Sequence, residues 1–145
     1  MAQAPQINII GGGMITQIQL LPTIYQLQRE GLVGEIHVCA LNSPPILDLQ
    51  NDPVLKKGFP GQQIVPHPDP AAVSADEVFP DLYKQVLEEA PENSITVVAV
   101  PDQLHHEVLQ VALESQTHVC VVKPLVQTFD QAEEIAAIAY ERGLV

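Results

Sequence analysis

Two hydrophobic periodicities alternate along this chain. Short runs that are mostly apolar and rich in β-branched residues occur at 7–10 ("INII"), 36–41 ("IHVCAL"), 63–66 ("QIVP"), 95–100 ("ITVVAV") and 118–122 ("HVCVV"). A strand with one wet face alternates apolar and polar positions. A strand covered on both faces is apolar throughout, so these runs predict buried parallel strands.

Between them the apolar positions recur three and four residues apart, which predicts helices. In 102–115 the stripe is Leu104, Val108, Val111 and Ala112; in 128–142 it is Ala132, Ile135, Ala136 and Ala139. The second of these opens with Thr128 and Gln131 in capping-box spacing, and Asp130 in the first turn suits the helix dipole. Residues 80–90 predict a shorter helix. A first helix is expected over 14–30, with a kink or a broken first turn at Pro22, because proline lacks the N–H that the helix needs. Residues 43–78 hold more than half of the thirteen prolines, which predicts a short helix, a brief third strand and a long surface loop.

Strand–helix alternation of this kind predicts the α/β class with right-handed crossovers. The expected architecture is a Rossmann-like doubly wound parallel sheet in the order 3-2-1-4-5. After the Arg142–Gly143 helix stop, Leu144 and Val145 read as the start of a sixth strand. Residues 1–145 are therefore expected to be one domain, truncated from a longer protein.

Charge narrows the choice of partners. Eighteen acidic against six basic residues give a net charge of −12, and the basic residues are scattered. Nucleic acid and anionic membrane both need clustered Lys and Arg, so neither is expected as a partner. No run approaches the roughly 20 apolar residues that span a bilayer, and the N-terminus lacks the basic and apolar regions of a signal peptide. Cys39 and Cys120 lie far apart inside apolar runs with no C-x-x-C, so both are expected to be reduced core thiols of a cytoplasmic protein.

The first candidate chemistry is the turn "NIIGGGMITQI". It places Gly11, Gly12 and Gly13 after the first strand and before the first helix, the context a phosphate-binding turn demands. On this reading Gly11 makes the tight turn and Gly13 lets the backbone approach a pyrophosphate. Met14 and Ile15 open a helix whose free N–H groups face the charge. The third glycine position is Thr16, expected to loosen helix–strand packing. A ribose-binding carboxylate is expected at the end of the second strand, but none stands between Ile36 and Leu47. Asn42 and Ser43 are the polar residues there, and no arginine offers itself to a 2′-phosphate. NAD and NADP both stay open.

The most specific stretch is "VVAVPDQLHHEVLQVALESQTHVCVVKPL". It resembles the nucleotide-binding domain of the Gfo/Idh/MocA oxidoreductases. In that family a strand ends in Thr-Pro-Asn, a helix with an early histidine follows, and Ala-Leu, Gly-Lys-His-Val and Glu-Lys-Pro come after it. Pro101 and Asp102 match the Pro-Asn pair, and His105 the helix histidine. Ala112 and Leu113 match Ala-Leu, His118 and Val119 match His-Val, and Lys123 and Pro124 match Lys-Pro. Val100, Gln116 and Val122 depart from the family's threonine, glycine and glutamate. The resemblance spans the chain, densely from 95 to 143 and loosely from 43 to 80.

The resemblance implies an NAD(P)-dependent oxidoreductase that moves hydride between a nicotinamide and a sugar, polyol or related alcohol or ketone. It makes Lys123 the catalytic residue beside the nicotinamide, with Pro124 fixing its turn through a plausible cis bond. Val100, Pro101, Asp102 and His105 line the same end of the crevice. It also implies a following α/β domain that binds substrate and forms the homo-oligomer, so the 145-residue chain alone is expected to be inactive.

Several histidines need a reading of their own. His105 and His106 diverge by roughly 100° on a helix and no zinc-spaced partner accompanies them, so no metal site is expected. His118 is expected to be structural, Asp102 an N-cap as well as a crevice residue, and His37 and His67 carry no motif. The competing reading is a non-catalytic dinucleotide-sensing or interaction module on the same fold. It draws on the absent ribose carboxylate, Thr16 and Val122.

Overall fold

A computed structural model describes residues 3–145. Five parallel strands form one sheet: β1 (Ile7–Ile10), β2 (Ile36–Cys39), β3 (Val65–His67), β4 (Ile95–Val98) and β5 (His118–Val121), in the spatial order β3-β2-β1-β4-β5. This is the expected order. The central strand β1 is buried at all four positions, as a strand covered on both faces must be. Asn8 is accommodated there because its side chain bonds Gln6 and Ser94.

Each face of the sheet has its own core. One face packs Ile7, Ile9, Ile36, Val38 and Val97 against α1 (Leu21–Arg29), α2 (Ser43–Asn51) and α3 (Pro53–Gly58). The other packs Ile10, Cys39 and Val98 against α4 (Leu82–Glu88), α5 (His105–Glu114) and α6 (Phe129–Arg142).

The region before α1 bears out the expected irregularity. Met14 and Ile15 begin a helix that widens into a π-helical stretch, Thr16–Leu20, in which the Leu21 N–H reaches back to the Thr16 carbonyl. Pro22 follows at once, inside the first turn of α1, where a missing N–H costs least.

Residues 43–78 are more helical than expected. Prolines stand at the N-termini of both α2 and α3, and Asp52 caps α3 by accepting from the Val54 and Leu55 N–H groups at 2.8 Å each. Pro44, Pro45 and Pro53 start helices here, so irregular chain is left to residues 59–64 and to the stretch after β3. Pro66 sits within β3, which is an edge strand and so tolerates a residue without an N–H.

Other boundaries and stripes also shift. β2 and β4 end two residues early, releasing Ala40–Leu41 and Ala99–Val100 toward the sheet's C-terminal edge. Leu104 is exposed, since a 3₁₀ turn (Asp102–Leu104) precedes α5 and rotates the buried stripe to His105, Val108, Leu109, Ala112 and Leu113. On α6 only Ile135 is buried, because the helix rests on α5 beyond the sheet edge. Thr128 caps it as expected, accepting from the Gln131 N–H at 3.3 Å.

Cys39 is buried, but Cys120 is exposed. Its strand, β5, is outermost, and the neighbouring Val119 and Val121 are the residues that turn to the core. Gln116 adopts a left-handed φ of 59°, the conformation glycine takes most easily. The family's glycine falls at this position. Leu144 is buried, and the Val145 carbonyl accepts from the Val119 N–H at 2.7 Å along the free edge of β5.

Candidate functional site

In a doubly wound sheet the strand C-termini diverge where the order reverses, and the crevice between them is where ligands bind. Here the reversal lies between β1 and β4. The glycine turn after β1, the chain after β2 and the chain after β4 enclose a crevice of about 540 Å³, within the range of small-molecule sites.

The three glycines do different things. A Cβ on Gly11 would lie 2.1 Å from the Ala99 carbonyl oxygen, and Gly11 has a φ of 121°. No other residue fits there. A Cβ on Gly12 would come within 3.1 Å of the Ala40 side chain and 3.2 Å of Pro45. Gly12 therefore lets the turn close on β2 and α2, a role the spacing alone does not reveal. A Cβ on Gly13 meets nothing within 4 Å. The space a side chain would fill there is open, which is what the approach of a pyrophosphate to the backbone requires.

Thr16 reinforces the turn. It is buried, and its hydroxyl donates to the Gly11 carbonyl at 2.6 Å. The residue expected to loosen the packing instead ties helix to strand, and the wider π-helical turn that begins there accommodates its side chain. The Gln17 N–H is the first to bond back, to the Gly13 carbonyl at 3.1 Å. The first-turn N–H groups of Met14, Ile15 and Thr16 thus have no acceptor within the helix and face outward with the positive end of its dipole. Met14 and Ile15 are both exposed.

Gly11, Gly13, Asn42, Val100 and Pro101 come together as crevice-lining residues, joined by Leu41, Pro45, Phe79, Asp81 and Glu107. Ser43 is buried at the first position of α2. The segment from Phe79 to Tyr83 was not legible as part of the site. It arrives through a backbone bond from the Phe79 N–H to the Leu41 carbonyl, 2.8 Å, which no local motif announces. Tyr83 donates to Glu107 at 2.8 Å, and Lys84 reaches Asp81 at 2.8 Å and Glu107 at 3.1 Å. Burial, then the Glu107 bond, pushes the Tyr83 phenol up to about 12; the bonds from Tyr83 and Lys84 hold Glu107 below its ordinary value. Burial also pushes the Cys39 thiol up to about 12.

Lys123 and Pro124 follow β5 at the same edge of the sheet. Their peptide bond is cis, as the resemblance implied. Lys123 is exposed and makes no ion pair among the described residues.

His105 does not line the crevice: it is fully buried. Its Nδ1 lies 2.6 Å from the Pro124 carbonyl and its Nε2 lies 2.9 Å from the Val100 carbonyl. The ring thereby bridges the loop after β4 to the loop that carries Lys123. A carbonyl only accepts, so the two contacts are both hydrogen bonds only when both ring nitrogens carry protons.

Asp102 is exposed and does not cap α5. The Leu104 N–H bonds the Pro101 carbonyl instead, at 2.9 Å, and the 3₁₀ turn moves the helix start past Asp102. His106 pairs with Glu134 on α6 at 2.9 Å, and His118 Nδ1 accepts from the Val145 N–H.

A second arrangement went unread in the sequence. His37 on β2 and His67 on β3 stack with ring centroids 5.1 Å apart, their facing nitrogens 3.0 Å apart. Burial, and secondarily the neighbouring His37, lower the pKa of His67, while Glu89 acts in the opposite direction. No periodicity predicts which residues of two short strands become neighbours; strand register decides it.

Comparison with known proteins gives a concordant picture. Residues 6–145 match the model of the Gfo/Idh/MocA oxidoreductase family, NAD-binding Rossmann fold. The uncharacterized oxidoreductase YfiI of Bacillus subtilis is 32% identical over 76 residues, which is 50% of this chain and 19% of that protein. The 3-ketoreductase KijD10 of Actinomadura kijaniata, solved with NADP and TDP-benzene, superposes on 97% of this chain with a TM-score of 0.64 and 26% identity. The dehydrogenase MviM of Clostridium difficile shares the fold at a TM-score of 0.62, 18% identity and 97% coverage. This chain spans 35% of the KijD10 chain and 37% of the MviM chain.

Proposed function

The chain belongs to the Gfo/Idh/MocA oxidoreductase family with its NAD-binding Rossmann fold, and on that premise we propose that it is the dinucleotide-binding part of a longer enzyme. The reaction we assign is hydride transfer between a nicotinamide and a carbon–oxygen bond of a sugar, polyol or related alcohol or ketone. The carrying observation is the open space at Gly13 beside outward-facing helix N–H groups, in a crevice whose other walls come from β2 and β4. That combination suits a pyrophosphate at the helix N-terminus.

The dinucleotide supplies the hydride chemistry, and the protein supplies orientation and electrostatics. In this reading Gly13, Met14 and Ile15 present N–H groups to the pyrophosphate. Asn42 serves the adenosine ribose, and Val100 and Pro101 form the wall toward the nicotinamide. Lys123 donates a hydrogen bond to the reacting oxygen and takes part in its proton transfer. His105 holds the Lys123–Pro124 loop against Val100 as a positioning residue.

A second domain, following this one, provides the substrate pocket and the surface for homo-oligomerisation. The name of KijD10, a 3-ketoreductase, supports a carbonyl substrate. No helix among the described residues is long and apolar enough to cross a membrane, and two free thiols support the cytoplasm as the compartment.

The test is a calorimetric titration of the chain with NAD and NADP in both oxidation states. Saturable binding that is lost in Gly13→Val is the expected result. Equal binding by the variant would place the ligand elsewhere, and saturable binding of neither dinucleotide would favour the non-catalytic interaction module.

A further inference from the structure

Neither wall of the crevice at its adenosine end suits an added phosphate. On one side the chain leaves β2 and enters α2 through Leu41, Asn42 and Ser43. A 2′-phosphate held there would need cations or the N–H groups of the helix's first turn. Pro44 and Pro45 fill that first turn, and proline has no N–H. Two of the donors that a helix N-terminus ordinarily offers are therefore missing. None of the described residues lining the crevice is Lys, Arg or His.

The facing wall carries negative charge. Asp81 and Glu107 both line the crevice. The nearby ammonium, on Lys84, is committed to those two carboxylates at 2.8 Å and 3.1 Å. Two carboxylates against one ammonium leave the group at a net −1. Between the walls, Pro45, Phe79 and Pro80 offer apolar surface for a flat base. A carboxylate can accept from an exocyclic amino group, as on adenine, but repels a phosphate dianion.

We infer that this crevice takes adenosine with a free 2′-hydroxyl and rejects the 2′-phosphate, which makes the protein selective for NAD(H). The discrimination works by exclusion: Pro44, Pro45, Asp81 and Glu107 refuse the phosphate, and no carboxylate at the end of β2 is needed. The inference rests on the dinucleotide reading of the crevice and adds which dinucleotide it holds.

The test uses four ligands on the protein: NAD, NADP, adenosine 5′-monophosphate and adenosine 2′,5′-bisphosphate. The two nucleotides isolate the extra phosphate from the nicotinamide half. NAD is expected to bind about tenfold or more tightly than NADP at low salt, roughly 1.4 kcal/mol. The mononucleotide pair should show the same order. Added salt should narrow both gaps, because the repelling carboxylates are exposed and screened. The double variant Asp81→Asn/Glu107→Gln should also narrow them, and Asn42→Arg should raise NADP affinity.

Equal or tighter NADP binding by the unaltered protein overturns the inference while leaving the dinucleotide site intact. A gap unchanged in the double variant and by salt also overturns it. Absence of binding by all four ligands is a separate result, which overturns the dinucleotide reading and this inference with it.

Discussion

Replacing one glycine of the turn should damage the fold, and replacing its neighbour but one should damage only binding. In Gly11→Ala the new methyl would lie 2.1 Å from the Ala99 oxygen and 2.6 Å from its carbon. Both are backbone atoms of the chain leaving β4, so relief requires the strand end or the turn to move. Overpacking of this kind costs about 1–3 kcal/mol. Holding alanine at a φ of 121° adds on the order of 1–3 kcal/mol. The sum, about 2–6 kcal/mol, is a large part of the roughly 5–15 kcal/mol that keeps a domain folded.

In Gly13→Ala the methyl meets nothing within 4 Å and no left-handed φ is involved. Its stability should stay within about 1 kcal/mol of the parent. The methyl, and more so the branched side chain of Gly13→Val, would instead stand in the crevice and push a pyrophosphate off the helix N–H groups. Each charge-assisted hydrogen bond lost is worth about 1.5–3 kcal/mol, so NAD affinity should fall at least about tenfold. Urea denaturation gives the first quantity and calorimetric titration the second. A Gly11→Ala protein as stable as the parent would refute the packing argument. A Gly13→Val protein that binds as tightly would refute the pyrophosphate argument.

Three further outcomes follow from the same geometry. His105→Ala removes a fully buried ring and both of its carbonyl contacts, so it should cost roughly 2–4 kcal/mol in urea denaturation; a loss below 1 kcal/mol would mean that the bridge is not made. The pKa of His67 is lowered in the fold from 6.5, so the unfolded chain binds more protons between the lowered value and 6.5. That contribution is fully present above 6.5 and is lost as the pH falls through 6.5 toward the lowered value, a window above the one in which Asp52 and Glu107 lose theirs. A His67→Gln variant should flatten the urea midpoint across that window, and an equally steep profile would exclude His67 as its source. In the longer enzyme proposed above, Lys123→Ala should abolish turnover with dinucleotide affinity retained, and unchanged turnover would remove Lys123 from the chemistry.

How far the sequence reaches depends on whether a feature is local. The strands and the Thr128 cap are set by residue patterns a few positions long, and the strand order follows from the strand–helix alternation taken over the whole chain; all were legible. The glycine turn was legible as a turn between β1 and the first helix, although not the separate packing of its three members. Gly12 is constrained by Ala40 and Pro45 across the crevice, which only the folded chain brings near.

Thr16 departs from the motif's expectation for a similar reason. A motif compares side-chain size at a position, while the structure lets the helix widen and uses the hydroxyl. The pattern sets His105 on the crevice, whereas one helical turn of 3₁₀ geometry rotates it into the core. The pairing of His37 with His67 and the arrival of Phe79 through Tyr83 depend on contacts between distant segments, which no periodicity encodes.

The two cysteines, finally, differ in reach and in chemistry, and that makes the protein simple to instrument. Cys39 lies at the crevice, buried, with its thiol pushed up to about 12 by that burial, so at pH 7 it offers too little thiolate, in too closed a place, to add to a maleimide. Cys120 stands exposed on the outermost strand. A fluorophore would therefore attach once, at a known strand and away from the crevice. Its emission would register whatever comes to rest on that side of the sheet while the crevice is titrated undisturbed.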